Sequence, residues 1–201
     1  SDNANIIEAI QICRDKLEVD PYFPKIQHSL AQLLDSQISD SNVDTTLVDE
    51  IIKLYFEVGQ PSSHIMEERL PPAKVRFESL TRAGTIARDV LRDTDKFIQY
   101  YTMAIQIDGV EEASLLFAFE LVIPVLINSI DHQISISSDG TFSGSIMDEQ
   151  QVMQNAFDLC DIVEAKCPTA ALADEYRGVI FRKMKQHELA YQSYVKAMGK
   201  S

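Results

Sequence analysis

Apolar residues recur at helical spacing along almost the whole chain. Ile6, Ile10, Cys13 and Leu17 follow one another at intervals of four, three and four, which lines one face of a helix. Asp20-Pro21 ends that stretch, because a residue before proline is pushed out of helical backbone. Pro24 opens a second helix with Ile26, Leu30, Leu33 and Leu34 facing inward; proline suits the first turn, where its missing N–H has no partner to lose. After a polar loop at 36–42, a third helix is predicted over 46–57, with Leu47, Ile51, Leu54 and Tyr55 on one face and Gly59 and Pro61 as stops. A connector at 60–72 leads to helices over 73–92 and 95–107, separated by the breaking and capping run RDTDKF. An apolar helix over 111–130 follows, and three helices close the chain at 148–166, 170–185 and 187–199. Between them, 131–149 is polar and Ser/Gly-rich and is expected to be a mobile loop. The alternation in HQISIS, 132–137, hints at a short strand within it. The pattern therefore predicts eight or nine helices and no substantial sheet.

The apolar run at 113–130 is long enough to raise the question of a membrane. Glu120 and Pro124 stand near its centre, and a carboxylate at mid-bilayer costs roughly 2.5 kcal/mol or more. No basic flank sets an orientation. A buried central helix is the reading adopted, with no membrane partner. Composition agrees with a helical globular protein: 45% hydrophobic, 24% charged, and only 7 Gly and 7 Pro to make turns. The formal charge of -13 repels phosphate backbones and anionic lipid surfaces, so nucleic acid is not an expected partner either. Three scattered cysteines cannot build a disulfide framework, and the N-terminus lacks the basic and apolar regions of a signal peptide. An intracellular location, cytoplasmic or nuclear, is expected.

Candidate chemistry is sparse. His28, His64, His132 and His187 lie in separate segments, none with a partner at metal-ligand spacing. Cys160 and Cys167, two helical turns apart, can share a face, but Cys160 falls on a core stripe and reads as a small buried hydrophobe. Phosphate-cradling glycine loops and the GxSxG elbow are absent. Asp131, His132 and Ser135 are triad residue types, yet adjacency in sequence does not make a triad. No catalytic residue, cofactor or metal is assigned, and the chain reads as non-enzymatic, with catalysis elsewhere in a longer polypeptide left open. Arg177, Arg182, Lys183 and Lys185 form a basic cluster that reads either as a dock for an acidic segment or as a solvated face complementing a helix C-terminus.

The segment GVIFRKMKQHELAYQSYVKAM, 178–198, places glycine inside a helix and then a small–large–small stripe. Gly178, Phe181, Ala190, Tyr194 and Ala197 fit one ungapped frame that resembles the tetratricopeptide repeat (TPR) family, although Asp174 stands where the family opens on tryptophan. Upstream, Pro168 and Ala156 fall in register, with Cys160 and Val163 as departures; near the N-terminus Ala9, Pro21 and Ala31 repeat the spacing, with Lys16 as a departure. Phe97, Tyr101 and Ala104 echo the stripe in the middle, where Phe97 is too large for its position. The resemblance implies an all-α fold: a right-handed superhelix of antiparallel helix pairs with degenerate central repeats, forming a single domain over 1–201. It also gives the glycine a reason, a partner helix lying on its face.

By the same resemblance the function is protein–protein interaction, as a scaffold or adaptor holding a peptide or partner helix in a concave groove. Lys25, His28 and Gln32 would face the groove from one repeat, and Glu175, Val179 and Arg182 from another. His28, Gln32, Glu175 and Val179 do not match the Lys and Asn pattern with which the family grips chaperone tails, which argues against that role. A homo-oligomer is left open. Residues 1–20 look like the second helix of a repeat, so the chain is expected to be a fragment of a longer protein. The alternative is a non-catalytic regulatory or substrate-recruiting domain of a larger enzyme.

Overall fold

The computed structural model describes residues 2–38, 44–61, 67–136 and 149–200. The described residues are helical, with no strand among them. In order these are α1 (Asp2–Val19), α2 (Pro24–Asp35), α3 (Thr45–Gly59), a single 3-10 turn (Glu67–Arg69), α4 (Ala73–Asp89), α5 (Thr94–Gln106), α6 (Glu112–Ile136), α7 (Glu149–Lys166), α8 (Leu172–Lys183) and α9 (His187–Met198). The local signals explain the starts. Pro24 occupies the first turn of α2. Asp44 accepts a hydrogen bond from the Thr46 N–H, and Asp93 one from the Lys96 N–H, both at 2.9 Å, so each carboxylate satisfies a donor that the first helical turn leaves over.

One expectation is overturned. Residues 132–136 do not form a strand; α6 runs through Pro124 and on to Ile136. Ile127, Ile130 and Ile134 also fall at helical spacing, and extending an existing helix adds one hydrogen bond per residue ordered, whereas a strand needs a new partner. The remainder of the loop expected at 131–149, residues 137–148, lies outside the described residues, as do 39–42 of the polar loop and His64.

The helices gather into two compact units, Ser1–Val110 and Glu111–Ser201. Within the first, each of α1 to α5 packs on its neighbour in sequence. Their apolar faces meet in a core of Cys13, Leu30, Leu34, Ile51, Tyr55, Ile86 and Tyr100, with Ile10 and Leu17 of the α1 stripe packed partly buried against it. Ile7, off that stripe, is 68% exposed. Asp35 at the end of α2 accepts two hydrogen bonds from Arg82 of α4, each 2.7 Å, and one from the Tyr55 hydroxyl of α3.

In the second unit, α6 buries Leu115, Ala118, Phe119, Val122, Ile123, Leu126 and Ile127, a stripe of alternating three- and one-residue steps. Glu112–Ser129 is long and apolar enough to cross a membrane by length and composition. In the fold this stripe belongs to a helix packed against α7 and α8, and Glu120 is exposed. The expected buried role of Cys160 holds: it is fully enclosed, and burial pushes its thiol up to about 12.

Both units contain a helix pair in which a glycine lies against a tyrosine ring. A Cβ added to Gly178 of α8 would come within 2.5 Å of the Tyr194 ring of α9. One added to Gly84 of α4 would come within 2.8 Å of the Tyr101 ring of α5. Both pairs turn through a non-glycine residue at φ 59°, Lys185 and Arg92 respectively, the left-handed conformation that commonly closes a helix.

Candidate functional site

The second unit carries a cleft of about 570 Å³ floored by α8. Leu172, Glu175, Tyr176 and Val179 line it from α8, Tyr194, Ala197 and Met198 from α9, and Glu120 from α6. Helical period separates the two faces of α8: Ala173, Asp174, Gly178 and Ile180 point into the unit, and the cleft residues occupy the adjoining face. Two aromatic contacts shape it. Tyr176 stands edge-on to Phe119 of α6, centroids 5.5 Å apart at 89°. Tyr194 lies against Gly178, where any side chain would displace it.

Acidic groups flank the apolar surface. Burial raises the Tyr176 hydroxyl above its ordinary range, and the negative charges of Glu120 and Glu175 raise it further. Both carboxylates therefore act on one side chain at the α6–α8 side of the cleft. Neither is paired with a cation among the described residues.

The basic side chains on the other side of this unit are committed. Asp174, 1% exposed, sits in a network with Arg177, Lys196 and Lys200. Arg177 also contacts Asp161 at 2.5 Å and Glu164 at 2.6 Å, and Glu164 receives Lys196 at 2.5 Å and Lys200 at 3.1 Å. The second Asp174 oxygen is 2.7 Å from Lys200 Nζ, an ionic contact without hydrogen-bond geometry. Lys196, then Lys200 and Arg177, holds the Glu164 carboxyl down to about 2. Burial works against ionisation of Asp174, but Lys200 and Lys196 outweigh it and lower its carboxyl. Arg177 is thus an internal ion-pair residue with 12% of its side chain exposed, not part of a solvated basic patch. Arg182 and Lys185 remain on the surface.

The six sequence-predicted groove residues fall into separate places. Glu175 and Val179 line the cleft. Arg182 is exposed one turn beyond Val179 and outside it. Lys25 and Gln32 are exposed on α2 of the first unit, while His28 is half-buried with its ring edge-on to Tyr55, centroids 6.2 Å apart. Burial lowers the His28 pKa, and Glu78 partly opposes that shift. Leu172, Tyr176, Met198 and Glu120 were not singled out as groove residues. Leu172, Tyr176 and Val179 follow at four and three, a stripe visible in the sequence; Glu120 arrives from another helix and had no local signal. Among the described residues, no three His, Cys, Asp or Glu side chains group as metal ligands would.

No protein-family model and no curated protein matches the chain. Solved structures do, and MamA is among them. The crystal structure of MamA aligns over 98% of this chain and 90% of that one, at 14% identity and a TM-score of 0.45. That likeness assigns no residue of this chain a role.

Proposed function

We propose that this chain is a protein-interaction module built of TPR-like helix pairs, and that it holds a peptide or partner helix in the cleft on α8. One observation carries the reading: an open, largely apolar cleft formed by three helices, with Glu175 and Val179 on its floor. A concave apolar surface with a few polar groups at its edge is suited to seating side chains of an extended or helical segment. The close fit of Gly178 to Tyr194 supports the repeat-like pairing of α8 with α9. By the same reading Lys25, His28 and Gln32 are groove positions of the first unit, and Arg182 extends the α8 surface.

The test is selection of displayed peptides on the whole chain, followed by binding to Val179→Arg. Val179 is half-buried on the cleft side of α8, so an arginine there obstructs the cleft floor. Selected peptides are expected to lose at least about tenfold in affinity, or roughly 1.4 kcal/mol, while helical circular dichroism is unchanged. Peptides that bind both proteins equally would move the function off this cleft. A selection that enriches nothing would overturn the reading.

A further inference from the structure

Resting on that reading, we infer that the segment this cleft accepts is a basic amphipathic one, with an apolar side chain on the floor and Lys or Arg reaching Glu120 and Glu175. Three observations converge. The floor is apolar or aromatic, through Leu172, Tyr176, Val179 and Met198. The ionisable groups lining it are both carboxylates, apart from the tyrosine hydroxyls, and an ionised carboxylate only accepts hydrogen bonds. The cations nearest in this unit's charge network, Arg177, Lys196 and Lys200, are held by Asp161, Glu164 and Asp174.

Glu120 of α6 and Glu175 of α8 form an acidic wall of the cleft. A neutral or acidic segment covering this wall would strip water from two carboxylates and give nothing back. A lysine or arginine at each flank supplies the missing donors and charge. Arg182 lies beyond the cleft, which sets the basic residues of the segment on the Glu120 and Glu175 side. The formal charge of -13 adds long-range attraction for a basic segment, which the experiment has to separate from recognition.

The probes are three fluorescein-labelled synthetic peptides with one apolar core, flanked by Lys, by Ser or by Glu. Each is titrated against the full chain, against Glu120→Lys/Glu175→Lys, and against Glu8→Lys/Glu18→Lys, which makes the same change of net charge at exposed positions of α1. The Lys-flanked peptide is expected to bind the wild type about tenfold more tightly than the Glu-flanked one, with a preference that weakens in salt. Only the cleft variant should remove or invert that preference. Equal binding of all three peptides, still lost in Val179→Arg, would overturn the basic preference and leave the interaction cleft standing. A preference abolished equally by the α1 variant would show attraction to net charge alone and overturn the inference. No binding by any of the three would count against both.

Discussion

The pairs α4–α5 and α8–α9 solve the same packing problem in different surroundings. In each, a helical glycine lets a tyrosine ring lie against the backbone of the opposing helix, and the chain turns through one residue at φ 59°. Around Gly84 the approach is completed by burial. Tyr101 is 4% exposed, its ring is 4.5 Å from that of Phe97, and its hydroxyl meets the Thr85 hydroxyl at 3.0 Å. Around Gly178 it is completed by charge. α9 buries Ala190 and Ala197 but leaves Tyr191, Val195 and Met198 exposed, and the Asp174 network ties the helix down instead. A pair locked by apolar packing is committed to stability. A pair held by ion pairs on one side can leave the other face of its helices open, and the cleft is there.

Breaking the network should separate the two units most. Asp174→Ala removes a carboxylate that is 1% exposed and leaves the largely enclosed Arg177 and Lys200 and the half-exposed Lys196 with one partner fewer, at a cost of about 3 kcal/mol. Hydrogen exchange should show protection lost in α7–α9 and kept in α3–α5; equal loss in both units would mean that the network does not stabilise the second unit specifically.

The two glycines come next. Gly84→Ala drives a methyl against a buried ring that has nowhere to move, and should cost about 1–3 kcal/mol. Gly178→Ala has the shorter contact on paper, yet Tyr194 is half-exposed and can swing aside, and alanine favours the helix. Its net effect should stay within about 1 kcal/mol. Thermal unfolding of the two variants orders them; a larger loss for Gly178→Ala would show that Tyr194 is as fixed as Tyr101.

Acid should act on the units in different ranges. His28 has a lowered pKa, so the unfolded chain takes up its proton first, and its contribution is lost as pH falls below its ordinary value of 6.5. Glu164 is also lowered; its contribution is complete above 4.5 and is lost as pH falls towards about 2. Exchange followed from pH 7 to pH 5 should therefore loosen α2–α3 before α8–α9, and His28→Gln should remove the difference. The smallest effect concerns Ser79, whose buried hydroxyl has no hydrogen-bond partner among the described residues. Ser79→Ala should be neutral or stabilising by up to about 1 kcal/mol in urea unfolding, and a clear loss would reveal a hidden partner.

The comparison also shows what the sequence discloses. Gly178 and Tyr194 were legible together because they stand sixteen apart in an ungapped frame. Gly84 and Tyr101 stand seventeen apart, and that one extra residue hid an equivalent contact. Phe97, too large for a small position, is accommodated as a fully buried ring with the Arg88 guanidinium 4.8 Å above it. The charge network was hidden differently. Asp174 and Arg177, three apart, and Lys196 and Lys200, four apart, are ordinary helix pairs until α7, α8 and α9 meet. Of the four α8 residues in the cleft, Glu175 and Val179 were reached through the repeat frame, whereas Glu120 depends on how α6 packs, which local pattern does not encode.

The most direct measurement is a titration of the isotope-labelled full chain with the Lys-flanked peptide, read by amide and methyl NMR. Binding in the cleft should concentrate the shifts at Leu172, Tyr176, Val179, Ala197 and Glu120, and leave Lys25 and Gln32 unmoved. Shifts centred on α2, or on the exposed Tyr191 and Val195 face of α9 with the cleft silent, would contradict the cleft as the binding site.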